Sequence, residues 1–163
     1  MKPKAYLETT IVSYLTAWPS RDIVMAANQQ MTHEWWTSRR NAFDLFVSQA
    51  VIVEPNAGDS DASRRRWDVL KDFPLLDITD EVETLAATLM TDVPLPPKAQ
   101  TDALHIAVAA VHGMNYLLTW NCAHIANATL RAPIELICRL AGYEPPVICT
   151  PQEMLSLGDS QNG

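Results

Sequence analysis

The longest apolar stretch of the chain lies within residues 98–112, where hydrophobic side chains occupy almost every position. No polar stripe interrupts this stretch, a pattern typical of a helix enclosed by the rest of a domain. Two prolines at 96 and 97 stand where a helix can begin, and Gly113 stands where one commonly ends. The pattern therefore predicts a buried core helix with Asp102 near its first turn.

Shorter apolar runs predict strands, and they alternate with segments of helical periodicity. The predicted strands are 4–7, 75–78, 116–119 and 147–149. The predicted helices are a first one that Pro19 breaks, a longer one capped by residues 20–22 and running to about residue 40 or beyond, 60–70, one that begins after a cap at Thr79, one from Asn121 to about Leu130, and 133–141. The apolar run 51–53 ends at Glu54 and fits either a strand or a short helix. The alternation predicts an α/β three-layer sandwich with a central, mainly parallel sheet flanked by helices.

The length of 163 residues fits one domain, which we place at residues 1–157. Residues 158–163 are small and polar, and we expect a disordered tail there. Cys122, Cys138 and Cys149 show no CxxC spacing, so we expect reduced thiols rather than disulfides or a zinc site. The N-terminus lacks the apolar core of a signal peptide, which favours a soluble, cytoplasmic protein.

The net charge of −7 argues against a protein that holds nucleic acid by a bulk positive field. An enzyme acting on nucleic acid remains open, because divalent cations held by acidic side chains reverse the local potential. The consecutive arginines at 64–66 lie in a predicted helix, where successive residues face different directions. We interpret these three arginines as a solvated face rather than one patch.

Oxygen-bearing side chains follow two of the predicted strands and open the core helix. Glu8 follows the strand at 4–7, and Asn121 follows the strand at 116–119. Sites in open parallel sheets form at the carboxyl ends of strands, so these side chains are expected to lie near Asp102. Some of these residues also have an ordinary interpretation. Glu8 could be a solvated strand end, and Asp102, like the nearby Thr10, could be a helix N-cap.

The order and context of these residues resemble the PIN-domain ribonucleases, a family that includes the VapC-type toxins of bacterial toxin–antitoxin pairs. Four blocks carry the resemblance over nearly the whole chain: YLETTIVSYL (6–15), VEPNAGD (53–59), TDALHIAVA (101–109) and LLTWNCAHIANA (117–128). The most specific part is TDALHIAVA followed by the LLTW strand. The resemblance implies a metal-dependent endoribonuclease that uses Mg²⁺ or Mn²⁺, acts on RNA, is restrained by an antitoxin protein and forms a homodimer.

By resemblance, four positions of this chain match the catalytic residues of the family. Asp102 matches the acid that opens the long helix, and Glu54 matches the glutamate of the second motif. Glu8 matches an N-terminal aspartate but is one methylene longer, and Asn121 stands where an aspartate is usual. The resemblance implies that Glu8, Asp102 and Asn121 are metal ligands. Because Asn121 brings no charge, metal binding should be weaker than with four carboxylates.

The residues around these four are interpreted by the same resemblance and by their position. Thr10 and Thr119 match hydroxyl positions that hydrogen-bond the acids. His105 is interpreted as a hydrogen-bonded core histidine, and His124 as a polar residue near the rim of the site. In the family's chemistry a metal-bound water attacks the phosphodiester, so no nucleophilic side chain is needed.

Two competing hypotheses remain beside the ribonuclease. The first is a catalytically silent PIN-like module that binds a protein partner or RNA without cleaving it, and it is motivated by Glu8 and Asn121. The second is a metal-dependent phosphatase acting on a small substrate. The sequence contains no GxSxG motif, P-loop or recognisable phosphate loop, which places the phosphatase last.

Overall fold

A five-stranded sheet forms the centre of the computed structural model, which describes residues 1–53 and 60–155. The strands are β1 (Lys4–Leu7), β2 (Asp44–Ser48), β3 (Leu75–Leu76), β4 (Tyr116–Leu118) and β5 (Val147–Cys149). The α-helices of the described residues are α1 (Thr9–Thr16), α2 (Ile23–Ser38), α3 (Gln49–Val53), α4 (Ser60–Leu70), α5 (Asp80–Asp92), α6 (Gln100–Val111), α7 (Ala128–Leu140) and α8 (Pro151–Leu155). None of these helices combines the length and the apolarity needed to cross a bilayer.

The strands lie in the order β3-β2-β1-β4-β5, and every neighbouring pair is parallel. Successive side chains of a strand point to opposite faces of the sheet. Ala5, Tyr6 and Leu7 of β1 are all fully buried, so both faces of the central strand are covered. The parallel sheet flanked by helices confirms the predicted α/β sandwich.

Helix α6 is the buried core helix that the apolar run predicts. Its residues 105–110 are buried, and it packs mainly against α5. A 3₁₀ turn at Pro97–Ala99 leads into it, in agreement with the two prolines. Gly113 follows its end with a φ of 67°, the left-handed region that glycine adopts without strain. The Met114 amide then bonds the Ala109 carbonyl at 2.9 Å and closes the helix end.

The prediction of two helices after Asn121 is wrong, because the structure has the single helix α7 there. Its N-cap is Asn127, and the helix continues through Pro133. A proline inside a helix removes one backbone hydrogen bond. The helix nevertheless buries one continuous face at four-residue spacing, formed by Leu130, Ile134 and Cys138. Packing of this face outweighs the local cost of the proline.

Three further segments differ from the predictions or lie outside the described residues. The strand expected at 75–78 is only two residues long, since β3 lies at the edge of the sheet and pairs with β2 alone. The undecided run at 51–53 belongs to helix α3, and strand β2 precedes it. Glu54 and the tail at 158–163 lie outside the described residues, so the predictions made for them stay predictions.

The three cysteines are free thiols, as predicted. Cys122 is exposed, whereas Cys138 and Cys149 are buried. Burial raises the pKa of Cys138 to about 11 and the pKa of Cys149 to about 12. Both buried thiols are therefore protonated at neutral pH, which makes them poor nucleophiles.

Candidate active site

The chain changes direction across the sheet at the boundary between β1 and β4. It runs from β1 outward through β2 and β3, then crosses back to place β4 and β5 on the other side of β1. Ligands of open α/β sheets bind outside the carboxyl ends of the strands at such a switch point. Glu8 directly follows β1 and Thr119 directly follows β4, so both residues lie at this position.

Glu8 is a buried carboxylate, only 3% exposed, and it is the N-cap of α1. Its Oε2 accepts hydrogen bonds from the Thr10 amide at 3.0 Å, the Thr10 hydroxyl at 2.5 Å and the Thr119 hydroxyl at 2.9 Å. These are the hydrogen bonds that the described residues donate to Glu8, and all fall on one oxygen. The carboxylate is therefore held in one orientation, and none of the described residues donates a hydrogen bond to Oε1.

The two threonine hydroxyls tie the ends of β1 and β4 together. Besides donating to Glu8, the Thr119 hydroxyl accepts from the backbone N–H of Asn121 at 2.9 Å. The Thr10 hydroxyl likewise accepts from the Trp120 amide at 2.8 Å. Both hydroxyls make the contact with an acid that the resemblance implies for them. Their contribution to catalysis stays a prediction.

Asp102 lies in the first turn of α6, and its carboxylate contacts the turn that follows β4. Its Oδ1 accepts from Asn121 Nδ2 at 2.9 Å, and its Oδ2 lies 2.9 Å from His124 Nδ1. Asn121 Oδ1 accepts a hydrogen bond from the backbone N–H of His124 at 3.0 Å. The carboxylate thus binds this turn instead of capping its own helix. Its two partners orient both of its oxygens.

A series of hydrogen bonds joins the two carboxylates. The Thr119 hydroxyl donates to Glu8 and accepts from the Asn121 backbone N–H, and the Asn121 side chain donates to Asp102. The structure therefore brings together three of the four residues named for the site, while Glu54 lies outside the described residues. Asn121 fills the gap between the acids with a donor, where an aspartate would place a third negative charge. The catalytic roles of Glu8, Asp102 and Asn121 stay predictions.

Sequence reasoning placed His124 only near the rim, but it contacts Asp102 directly. Nothing in its spacing signalled this contact, because the turn after β4 decides where the ring lies. His105 is the core histidine that the sequence analysis describes: it is fully buried, 2.7 Å from the Tyr6 hydroxyl and 3.3 Å from the Thr9 hydroxyl. This buried pair of contacts ties the start of α1 to α6, one turn beyond Asp102.

An aromatic pair stands beside the site. Tyr14, one turn after Thr10 on α1, stacks on Trp120 with ring centroids 6.4 Å apart and an interplanar angle of 25°. The Trp120 indole donates to the Thr32 hydroxyl at 2.7 Å, which fixes the ring against α2. Burial raises the pKa of Tyr14, and the nearby Glu8 adds to the rise. The Tyr14 phenol therefore stays neutral at physiological pH.

The donor chemistry of the site fits a hard divalent cation. Glu8 and Asp102 offer carboxylates and Asn121 offers an amide oxygen, and oxygen donors are those that Mg²⁺ and similar ions prefer. Within the described ranges, however, no three His, Cys, Asp or Glu side chains lie close enough to hold a metal ion together. The described donor set therefore carries less charge than a site of three or four carboxylates.

Replacing Thr119 by valine should destabilise the fold by about 1–3 kcal/mol. The substitution removes a hydrogen-bond donor to the buried Glu8 carboxylate. It also removes the Thr119 oxygen that accepts from the backbone N–H of Asn121. Urea unfolding followed by circular dichroism measures the loss. Thr88→Val is the matched control, because the Thr88 hydroxyl only bonds the Thr84 carbonyl on an exposed helix face. Equal stability of the two variants would contradict a structural role for the Thr119 hydroxyl.

Comparison with known proteins finds a matching family model and a similar solved structure. The family model described as PIN domain matches residues 5–121, from β1 through Asn121. Among solved structures, Mycobacterium tuberculosis VapC20, described as a sarcin–ricin loop cleaving toxin, matches with a TM-score of 0.58 and 14% sequence identity. The match covers 86% of this chain and 96% of that chain, and at this identity it shows the fold alone. Comparison with curated proteins gave no match.

Proposed function

The chain belongs to the PIN domain family, and from this premise we propose that it is a divalent-metal-dependent endoribonuclease that hydrolyses RNA phosphodiester bonds. The observation that carries the proposal is the hydrogen-bonded series from Glu8 to Asp102 at the switch point of the sheet. This is where the open α/β architecture binds its ligands. Two carboxylates lie there, and the Asn121 side chain between them donates to Asp102 through Nδ2.

Each residue of the site has a proposed task. Glu8, Asp102 and Asn121 would hold the cation, with Glu54 as a further acid. The Thr10 and Thr119 hydroxyls hold Glu8 Oε2, so that the carboxylate keeps its orientation when Oε1 binds. When bound, the cation supplies a Lewis acid for the phosphoryl oxygens and activates water for in-line attack. No nucleophilic side chain takes part, which agrees with the protonated state of the two buried thiols.

The same proposal includes partners. VapC20 is described as a toxin that cleaves the sarcin–ricin loop, and its likeness supports an RNA substrate for this chain. We further propose an antitoxin protein as a partner and a homodimer as the assembled form, in keeping with the VapC-like resemblance. Sedimentation of the purified protein would test the dimer.

The direct test is an RNA cleavage assay with the purified full chain. End-labelled single-stranded RNA is incubated with Mg²⁺, with Mn²⁺, and with EDTA. We expect cleavage with at least one of the two ions and none with EDTA. Equal cleavage in EDTA would point to a contaminating metal-independent nuclease, and no cleavage with either ion would contradict the proposal.

Replacing Asn121 by aspartate should tighten Mn²⁺ binding by about tenfold, because affinity for such ions rises with the number of charged ligands. The new carboxylate would face Asp102, where Asn121 now donates a hydrogen bond at 2.9 Å, so the metal-free protein should also lose stability. Calorimetric titration with Mn²⁺ measures the affinity. Asn127→Asp is the control, since it adds the same charge at a helix N-cap that aspartate also serves. Unchanged Mn²⁺ affinity in the Asn121 variant would argue against Asn121 as a ligand.

A catalytically silent PIN-like module is the second candidate, and one observation favours it. Asn121 Nδ2 donates a hydrogen bond to Asp102 Oδ1, so the protein itself engages this carboxylate oxygen, as in a purely structural contact. In that case calorimetry should detect no Mn²⁺ binding that depends on Asp102. The protein would then bind RNA or a protein partner and leave RNA intact.

A further inference from the structure

Two arginines of α4 reach across to α1 and its C-terminal end. Arg65 Nε donates to the Thr16 carbonyl at 2.8 Å, and its guanidinium lies 4.9 Å from the centre of the Trp18 ring. Arg66 Nη2 donates to the Ser13 hydroxyl at 3.0 Å. The interpretation of residues 64–66 as a solvated face is therefore wrong for Arg65 and Arg66, because α4 packs against α1 and each of these side chains turns toward it.

The partners of Arg65 and Arg66 are neutral. Within residues 1–53 and 60–155, neither guanidinium forms a salt bridge with a carboxylate. The chain as a whole carries a net charge of −7, so two arginines without a carboxylate partner in the described part of the chain are a local exception. Such a pair of arginines attracts an anion, and a guanidinium offers several N–H donors to a phosphate.

Trp18 presents a large aromatic surface to solvent beside these arginines. It is 76% exposed, although its indole could gain from burial. Toward the site, the next aromatic group is the Tyr14 and Trp120 stack, one turn from Thr10. Helix α1 spans eight residues, or about 12 Å, and connects these features to Glu8.

We propose that Trp18, Arg65 and Arg66 form a binding surface for single-stranded RNA, here called the α1–α4 surface, which leads the strand toward the candidate active site. The inference rests on the proposed ribonuclease function. Single-stranded nucleic acid is bound by cations along its backbone and by aromatic rings on which bases stack. The α1–α4 surface supplies both near the C-terminal end of α1, the helix whose N-cap is Glu8. Two arginines that have no carboxylate partner among the described residues favour an anionic strand over an apolar protein partner, although exposed Ile23 and Val24 lie nearby in sequence.

The test measures RNA binding by fluorescence anisotropy in EDTA, with a labelled single-stranded oligonucleotide and the full chain. Trp18→Ala should raise Kd about tenfold, the loss expected for one stacked base. Arg65→Gln and Arg66→Gln should each reduce the slope of log Kd against log salt concentration by about 0.7. Because Arg65 and Arg66 each also bond α1, circular dichroism must show that both variants are folded, and Trp18→Ala provides the independent arm.

Matched controls for the tryptophan and arginine substitutions lie on α4. Trp67 is 56% exposed, and Arg64 is exposed as well. Trp67 lies about 200° around α4 from Arg65, and Arg64 lies about 200° from Arg66. Trp67→Ala and Arg64→Gln should bind RNA with the wild-type Kd and the wild-type salt slope.

The binding assay separates this inference from the proposed function, since it needs neither metal nor cleavage. Weakened binding confined to the α1–α4 surface supports the inference even if the wild-type protein never cuts RNA. Wild-type affinity in Trp18→Ala and Arg66→Gln would overturn it and assign the surface to a protein partner. Equal weakening by the controls, or no RNA binding by the wild type, would overturn it too.

Discussion

Replacing Asp102 by asparagine is expected to lower kcat/KM for metal-dependent RNA cleavage by about a thousandfold, or about 4 kcal/mol of transition-state stabilisation. The reason is the loss of one of the two carboxylates that the described site contains. The substitution keeps the shape of the side chain, which contacts Asn121 and His124 at 2.9 Å. Fold stability should change much less than activity. Initial rates at saturating Mn²⁺ and limiting RNA measure kcat/KM directly.

The control for this prediction is Asp92→Asn, which makes the same chemical change at an exposed position at the end of α5. It should retain full activity. Calorimetry of Asp102→Asn should also show weakened Mn²⁺ binding, which is a readout independent of turnover. Cleavage at the wild-type rate by Asp102→Asn would mean that the site lies elsewhere in the chain.

Replacing Leu117 by alanine is expected to lower the free energy of unfolding by about 2–5 kcal/mol. Leu117 is fully buried in β4, where it pairs with Tyr6 of β1 on one side and Ile148 of β5 on the other. Removing its side chain leaves a cavity between the layers, which close-packed neighbours cannot refill. Guanidinium unfolding measures the change.

Leu140→Ala is the matched control for the core substitution. Leu140 ends α7 and is 74% exposed, so its truncation should change stability by no more than about 0.5 kcal/mol. A small effect for Leu117→Ala, comparable to that of the control, would contradict the buried position of β4 between β1 and β5. Because Thr119 follows β4 directly, Leu117→Ala should also weaken metal binding in proportion to any population of locally unfolded protein.

The sequence predicted most of the architecture because its signals are local. The continuous apolar run with its two prolines and Gly113 specifies α6, and short apolar runs specify buried strands of a parallel sheet. The course of α7 through Pro133 was not predictable in this way. There a local penalty at Pro133 competes with a buried face that only the folded chain completes.

The candidate site was predictable in its members more than in its contacts. Strand ends and the start of the core helix located Glu8, Asp102 and Asn121, because the topology of parallel sheets places these positions at one edge. Which atoms pair with which depends on tertiary packing. The contact of His124 with Asp102, and the turn of Arg65 toward α1, therefore emerged only from the structure.

The central claim is that oxygen donors from β1, α6 and the turn after β4 hold one divalent cation. A crystal structure of the protein soaked in Mn²⁺, with anomalous scattering recorded at the manganese edge, tests this claim most directly. We expect an anomalous peak within about 2.0–2.6 Å of oxygens from Glu8 and Asp102, with Asn121 in the coordination sphere or one water away. An anomalous peak at another position in the protein would contradict the claim. The absence of any peak at an Mn²⁺ concentration that supports cleavage in solution would contradict it too.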